Sequence, residues 1–176
     1  MTTTATTPLT LGFLTVLHEN AGYLGGYLVT NQWGRPLEFR LSTAVQPNRV
    51  QQILYGGALQ SYLCADLIGK TLIDKTGTPV QLLLTDTQAA LDLRLRLEIP
   101  VFLLAAPGTP GPVETRVFAL PEGRGAIHAH PLYPADVQAG RQLLEPLCSA
   151  LDPSEPFCRI REAMTEARKL GVTNRG

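Results

Sequence analysis

Between residues 9 and 42 the chain alternates apolar and polar positions in three successive runs, separated only by short turn-forming segments. Residues 9–17 (LTLGFLTVL) alternate around Leu9, Leu11, Phe13 and Leu17. Residues 22–30 (GYLGGYLVT) place Tyr23, Tyr27 and Val29 on one face and Leu24 and Leu28 on the other. Residues 36–42 (PLEFRLS) set Leu37, Phe39 and Leu41 inward against Glu38, Arg40 and Ser42. Side chains two apart on a strand share a face, so each run reads as a strand. HENA and Asn31-Gln32-Trp33-Gly34 are turns, the second with a glycine able to take positive φ. Three strands on such short connections make an antiparallel meander.

A helix follows. Asn48 is a good N-cap, with Gln51 at the capping-box position three residues on. Val50, Ile53, Leu54, Ala58 and Tyr62 recur at helical spacing, and Leu59, Leu63 and Leu67 widen the stripe. The spacing predicts one long helix over 48–68, ended by Gly69 and covering the meander, with Leu54 and Leu63 deeply buried. Gly56-Gly57 lies in its middle, where each glycine costs up to ~1 kcal/mol relative to alanine. Close approach of another backbone, of this chain or a partner, is the expected compensation.

Beyond it, PVQLLLTD (79–86) and IPVFLLA (99–105) read as buried strands. LDLRLRLE (91–98) between them alternates like a strand, but Asp86-Thr87 is a helix-start signal, and strand–helix–strand makes an ordinary crossover unit. APGTPGP (106–112) is an irregular loop, and TRVFAL (115–120) and GAIHAH (125–130) are short strands. A helix runs from Pro134 to about Leu144, and a last one begins at Asp152-Pro153-Ser154 with Phe157, Ile160, Met164 and Ala167 as its apolar face. GYLGG (22–26) has no following G-K-[ST] and lies within a strand, so close packing explains it better than a phosphate loop.

These elements predict an α+β fold: a disordered tip over 1–8 and one domain over 9–176, with the three-strand meander extended by a mixed central sheet covered by helices. In architecture alone, the meander with its covering helix resembles profilin-like and PAS-like modules. The composition, 44% hydrophobic and 17% charged, suits a single core. Fifteen basic residues balance fifteen acidic ones, which argues against a partner bound through neutralised phosphates. Arginine outnumbers lysine twelve to three, a mix suited to ordered contact surfaces. Cys64, Cys148 and Cys158 are odd in number without C-x-x-C spacing, which fits a reducing compartment. No signal peptide or membrane span is read in the sequence, and a cytoplasmic protein is expected.

The densest chemical pattern is His128-Ala129-His130, two imidazoles on one strand face, followed by Asp136. HAHPLYPAD resembles the His-x-His-Pro and downstream Asp of JAMM-type metal-dependent isopeptidases, which implies His128, His130 and Asp136 as metal ligands. Two imidazoles and one carboxylate fall short of the four ligands of a structural zinc site, and no metal or other cofactor is expected. Trp33 and Arg35 in a turn, with Gly56 and Gly57, are candidate interface residues. Tyr23, Tyr27, Phe39 and Tyr62 are candidate linings of a pocket between the meander and helix 48–68. Asp86 is a candidate ligand residue at a strand's carboxyl end, or alternatively a helix N-cap. The sequence therefore points to a non-catalytic protein-interaction module or adaptor, a homodimer or a subunit of a larger complex, with no nucleic-acid or membrane partner. A small-molecule sensor and a metal-dependent hydrolase are the alternatives.

Overall fold

The computed structural model describes residues 8–109 and 117–171. The expected tip, apart from Pro8, lies outside the described residues, as do 110–112 of the proline-rich loop and 115–116 of the strand predicted over 115–120. The described chain is a single α+β domain built on a mixed seven-stranded sheet.

The meander forms as its alternation requires. β1 (Thr10–Glu19) pairs antiparallel with β2 (Gly22–Asn31), and β2 with β3 (Pro36–Leu41). Tyr23, Tyr27 and Val29 of β2 join one core cluster, and Leu24 and Leu28 the other. Gly25 and Gly26 let both helical layers press onto β2: an added Cβ would meet Ile68 and Leu72 on one side and Ile160 on the other. β3 departs from expectation. It is the sheet edge, and Leu37 and Phe39 are exposed there because only one neighbouring strand shelters them.

The long helix predicted over 48–68 is broken. α1 (Arg49–Tyr55) starts as expected, with Asn48 Oδ1 accepting from the Gln51 N–H at 2.8 Å and Gln51 Oε1 accepting from the Asn48 N–H at 3.0 Å. It stops at Gly56, whose φ of 50° belongs to the left-handed region that only glycine enters cheaply. Nothing lies within 4 Å of an added Cβ on Gly56 or Gly57, so the pair serves a turn and not a close approach. After a 3-10 turn (Gly56–Ala58) the chain re-enters helix as α2 (Leu59–Ser61), a π-helical stretch (Tyr62–Gly69) and α3 (Lys70–Lys75). The turn re-aims α1 away from the sheet. Leu63 is 1% exposed as expected, but Leu54 is 77% exposed, with Val50 and Ile53 beside it on the surface.

β4 (Leu82–Thr85) then lies parallel to β1, and β5 (Val101–Ala105) parallel to β4. The crossover is a 3-10 segment (Gln88–Leu95) in place of an α-helix. Its alternating leucines decide this: Leu91 and Leu93 are both buried, and a tighter winding brings both inward. β7 (Ala126–Ala129) pairs antiparallel with β5, and β6 (Val117–Ala119) pairs antiparallel with β7, which completes the order β3-β2-β1-β4-β5-β7-β6. α4 (Asp136–Leu144) and α5 (Glu155–Lys169) cover the face opposite α2 and α3, with Phe157, Ile160 and Met164 in the core. Among the described residues no helix is long and apolar enough to cross a membrane.

The break at Gly56 has a thermodynamic consequence. Leu63→Ala should destabilise the protein by ~2–5 kcal/mol in urea unfolding, the usual range for a large-to-small core change. Leu54→Ala should cost less than ~1 kcal/mol, whereas equal losses would restore a continuous buried helix.

Candidate functional site

In open sheets with parallel strands, ligands bind beyond the strands' carboxyl ends. Here β1, β4 and β5 share one such edge. Their ladder ends with Leu14 beside Thr85, and one residue further on come Thr15 and Asp86. Period-two alternation puts both on the α5 face, since Leu11, Phe13, Leu82 and Leu84 belong to the core cluster beneath α5. Polar bonds stitch the edge together: the Val16 N–H donates to Thr87 Oγ1 at 3.0 Å, and the Thr87 N–H to Thr85 Oγ1 at 3.1 Å.

α5 brings two guanidinium groups to this edge. Arg161 forms an ion pair with Asp86, and Arg168 grips both carboxylate oxygens of Glu19 at the end of β1. Seven residues are about two helical turns, so both arginines fall on one face of α5. Asp86 is therefore not a helix N-cap: that position belongs to Thr87, and Asp86 faces an arginine instead. A groove of about 260 Å³ opens at this point, lined by Asp86, Gln88, Ala105, Thr109 and Arg161.

The other pocket candidates do not gather around one cavity. Tyr23 and Tyr27 are buried against the α2–α3 side, and burial raises the Tyr27 phenol well above its ordinary pKa. Tyr62 stacks on Tyr55 with ring centres 4.2 Å apart, and Phe39 lies on the opposite face near Ile160. A cleft of about 400 Å³ does lie between the meander and the helix, but Arg40, Ser42, Thr71 and Lys75 supply its polar wall. The aromatic sensor pocket expected from the sequence is corrected on that ground. Trp33 is exposed, its backbone N–H donating to Asn31 Oδ1 at 3.0 Å, and Arg35 is exposed beside it.

His128 and His130 share a face, as their spacing predicts, but the expected Asp136 does not join them. Asp136 forms an ion pair with Arg94 at 2.7 Å, and Arg94 stacks over the Tyr133 ring at 3.7 Å. Both ring nitrogens of His130 are engaged. Nδ1 accepts from the Leu132 N–H at 3.1 Å, which leaves the proton on Nε2 to be donated to Asp92 Oδ1 at 2.8 Å. Among the described residues no group of three or more histidine, cysteine, aspartate or glutamate side chains is placed to hold a metal ion. The ligand set that the resemblance implied, His128, His130 and Asp136, is corrected accordingly. Burial pushes the Cys64 thiol up to about 11, so it stays protonated at neutral pH and is a poor nucleophile.

Sequence reasoning missed Arg161, Arg168 and Asp92. The arginines carry an i, i+7 signal on α5, but nothing in the sequence names their partners, Asp86 and Glu19.

No protein-family model matches the sequence, and no curated protein matches it. Among solved structures, the chain is similar to Ciona intestinalis endonuclease V in complex with a 23mer DNA containing an inosine followed by a ribo-adenosine. The TM-score is 0.55 at 9% sequence identity, over 94% of this chain and 88% of that one. This likeness corrects the expectation of a non-catalytic adaptor or protein-binding module with no nucleic-acid partner: the shared architecture is that of an endonuclease bound to DNA.

Burial depresses the His128 pKa, which gives a measurable signature. The unfolded chain takes up this proton near pH 6.5 and the folded one only at lower pH. Stability from this group is thus fully present above about pH 6.5 and falls as the pH drops towards the folded value. His128→Gln should flatten the decline of the urea midpoint between neutral and mildly acidic pH. An unchanged slope would show that His128 is protonated equally in both states.

Proposed function

We propose that this chain is a nucleic-acid-processing enzyme whose substrate lies in the groove at the carboxyl ends of β4 and β5. One observation carries the reading: the fold likeness to a DNA-bound endonuclease extends over nearly the whole of both chains. The groove's chemistry supports it. Arg161 offers a planar guanidinium suited to a phosphodiester. When a phosphate oxygen draws Arg161 away, the Asp86 carboxylate is released as a proton acceptor. A water attacking phosphorus then gives its proton to Asp86 as the bond to the leaving oxygen breaks and that oxygen takes a proton from solvent. A cytoplasmic setting suits the reading, since Cys64, Cys148 and Cys158 are all free thiols.

End-labelled single- and double-stranded DNA and RNA, incubated with the full chain in magnesium buffer, test this. At least one substrate should bind at about 50 mM salt, weaken as salt rises and be cut. Arg161→Ala should weaken binding several-fold and lower the salt slope by about 1. Asp86→Asn should bind at least as tightly, because Arg161 is freed, and should no longer cut. The proposal is overturned if none of the four substrates is bound or if none is cleaved.

A further inference from the structure

Asp92, in the 3-10 segment, lies between Ser61 and His130, which come from the end of α2 and the residue past β7. The Ser61 hydroxyl donates to Oδ2 at 2.5 Å, and His130 Nε2–H donates to Oδ1 at 2.8 Å. The His130 side chain is 6% exposed and that of Asp92 43%. A buried imidazole and a hydroxyl thus hold a carboxylate whose other side faces solvent. That side opens into a cleft of about 460 Å³ with Gln60 and Gln88 on its rim and Ala89, Leu91 and Pro131 as apolar wall. The order of the three groups rules out an activated serine, because His130 bonds Asp92 and Ser61 also bonds Asp92. The arrangement orients an acceptor.

A carboxylate has about four lone-pair positions. Two are filled from within the protein, leaving one on each oxygen for a ligand. Two adjacent N–H donors match that pair. Among the common bases only guanine presents two neighbouring donors, N1–H and the 2-amino group, on its pairing edge. Adenine and cytosine turn a ring-nitrogen lone pair towards the carboxylate, and thymine and uracil flank their one N–H with carbonyls.

We infer that this cleft recognises a guanine ring, with Asp92 accepting from N1–H and the 2-amino group and a glutamine amide of Gln60 or Gln88 donating to O6. The inference rests on the nucleic-acid reading for its source of guanine, although a free guanine nucleotide carries the same ring. Gln88 also lines the groove beside Asp86, so the two clefts adjoin.

Fluorescence anisotropy on the full chain, with short oligothymidine strands carrying one central guanine, inosine or adenine, tests it. The guanine strand should bind about tenfold more tightly than the adenine strand, with inosine, which lacks the 2-amino donor, between them. Asp92→Asn should reduce the preference to less than about twofold, since an amide replaces one acceptor with a donor. Because that change also disturbs Ser61 and His130, the double variant Gln60→Ala/Gln88→Ala, which leaves the Asp92 bonds intact, should also lower the preference with an unchanged melting temperature. Guanosine monophosphate should compete with the guanine strand. Strands that bind without base preference, or a preference that survives Asp92→Asn, overturn the inference and leave the nucleic-acid reading standing. Guanosine monophosphate bound through Asp92 while no strand binds upholds the ring recognition and sinks the nucleic-acid reading.

Discussion

The parallel pairing of β4 against β1 is the interaction on which the remaining architecture depends. A hairpin cannot deliver a parallel neighbour, so the chain must travel from the end of β3 back across the sheet before β4 begins. That return is the helical run of residues 59–75, and it covers one face of the sheet. The same pairing makes β1 and β4 interior strands with apolar side chains facing both ways: Leu83 contacts one core cluster while Leu82 and Leu84 contact the other. α4 and α5 are then needed to cover the second face. The carboxyl ends of three parallel strands therefore meet at one edge, where Asp86 lies.

How legible this was differed by element. The meander could be read because its strands have one period and short turns: β1 kept its one expected face and β2 both of its faces. β3 lost Leu37 and Phe39 to the surface, while Leu41 packs against the core, because alternation specifies which residues share a face, not whether a layer covers it. The helix over 48–68 was misread for a related reason. Val50, Ile53 and Leu54 keep helical spacing right up to Gly56, and periodicity cannot register a turn in the axis. The positive φ of Gly56 is the only local cause, and a glycine pair in sequence fits a close approach equally well. The 3-10 crossover was ambiguous in the sequence because its leucines satisfy two periods at once.

A net charge of zero does not decide phosphate contacts, because net charge is a sum over the surface and binding is local. The acidic residues that cancel the arginines on α5 lie directly against them: Glu19 against Arg168 and Asp86 against Arg161. Side-chain exposure at the Arg161 pair is 45% for the arginine and 15% for the aspartate. An exposed guanidinium can change partners at modest cost, because solvent screens its bond to the carboxylate. A phosphodiester and a carboxylate offer an arginine similar paired oxygens. Internal neutrality at the groove is thus compatible with an anionic ligand, and it keeps two carboxylates from repelling that ligand on approach.

Asp92 shows the opposite design. Its partners are a buried imidazole and a hydroxyl, both neutral donors, so its negative charge is oriented and not cancelled. Exchange is expected at Asp86, where a cationic partner can leave for another anion. At Asp92 the donors have no comparable alternative: His130 is locked from behind by the Leu132 N–H, and Ser61 is fixed on a helix. A carboxylate held this way keeps its geometry whether or not a ligand is present, which is what selective recognition of paired donors requires. The two carboxylates are six residues apart on one crossover, with Gln88 lining both clefts. Burial of Ala90, Leu91 and Leu93 anchors that crossover in the core, which ties the position of the carboxylate proposed for exchange to that of the carboxylate proposed for discrimination.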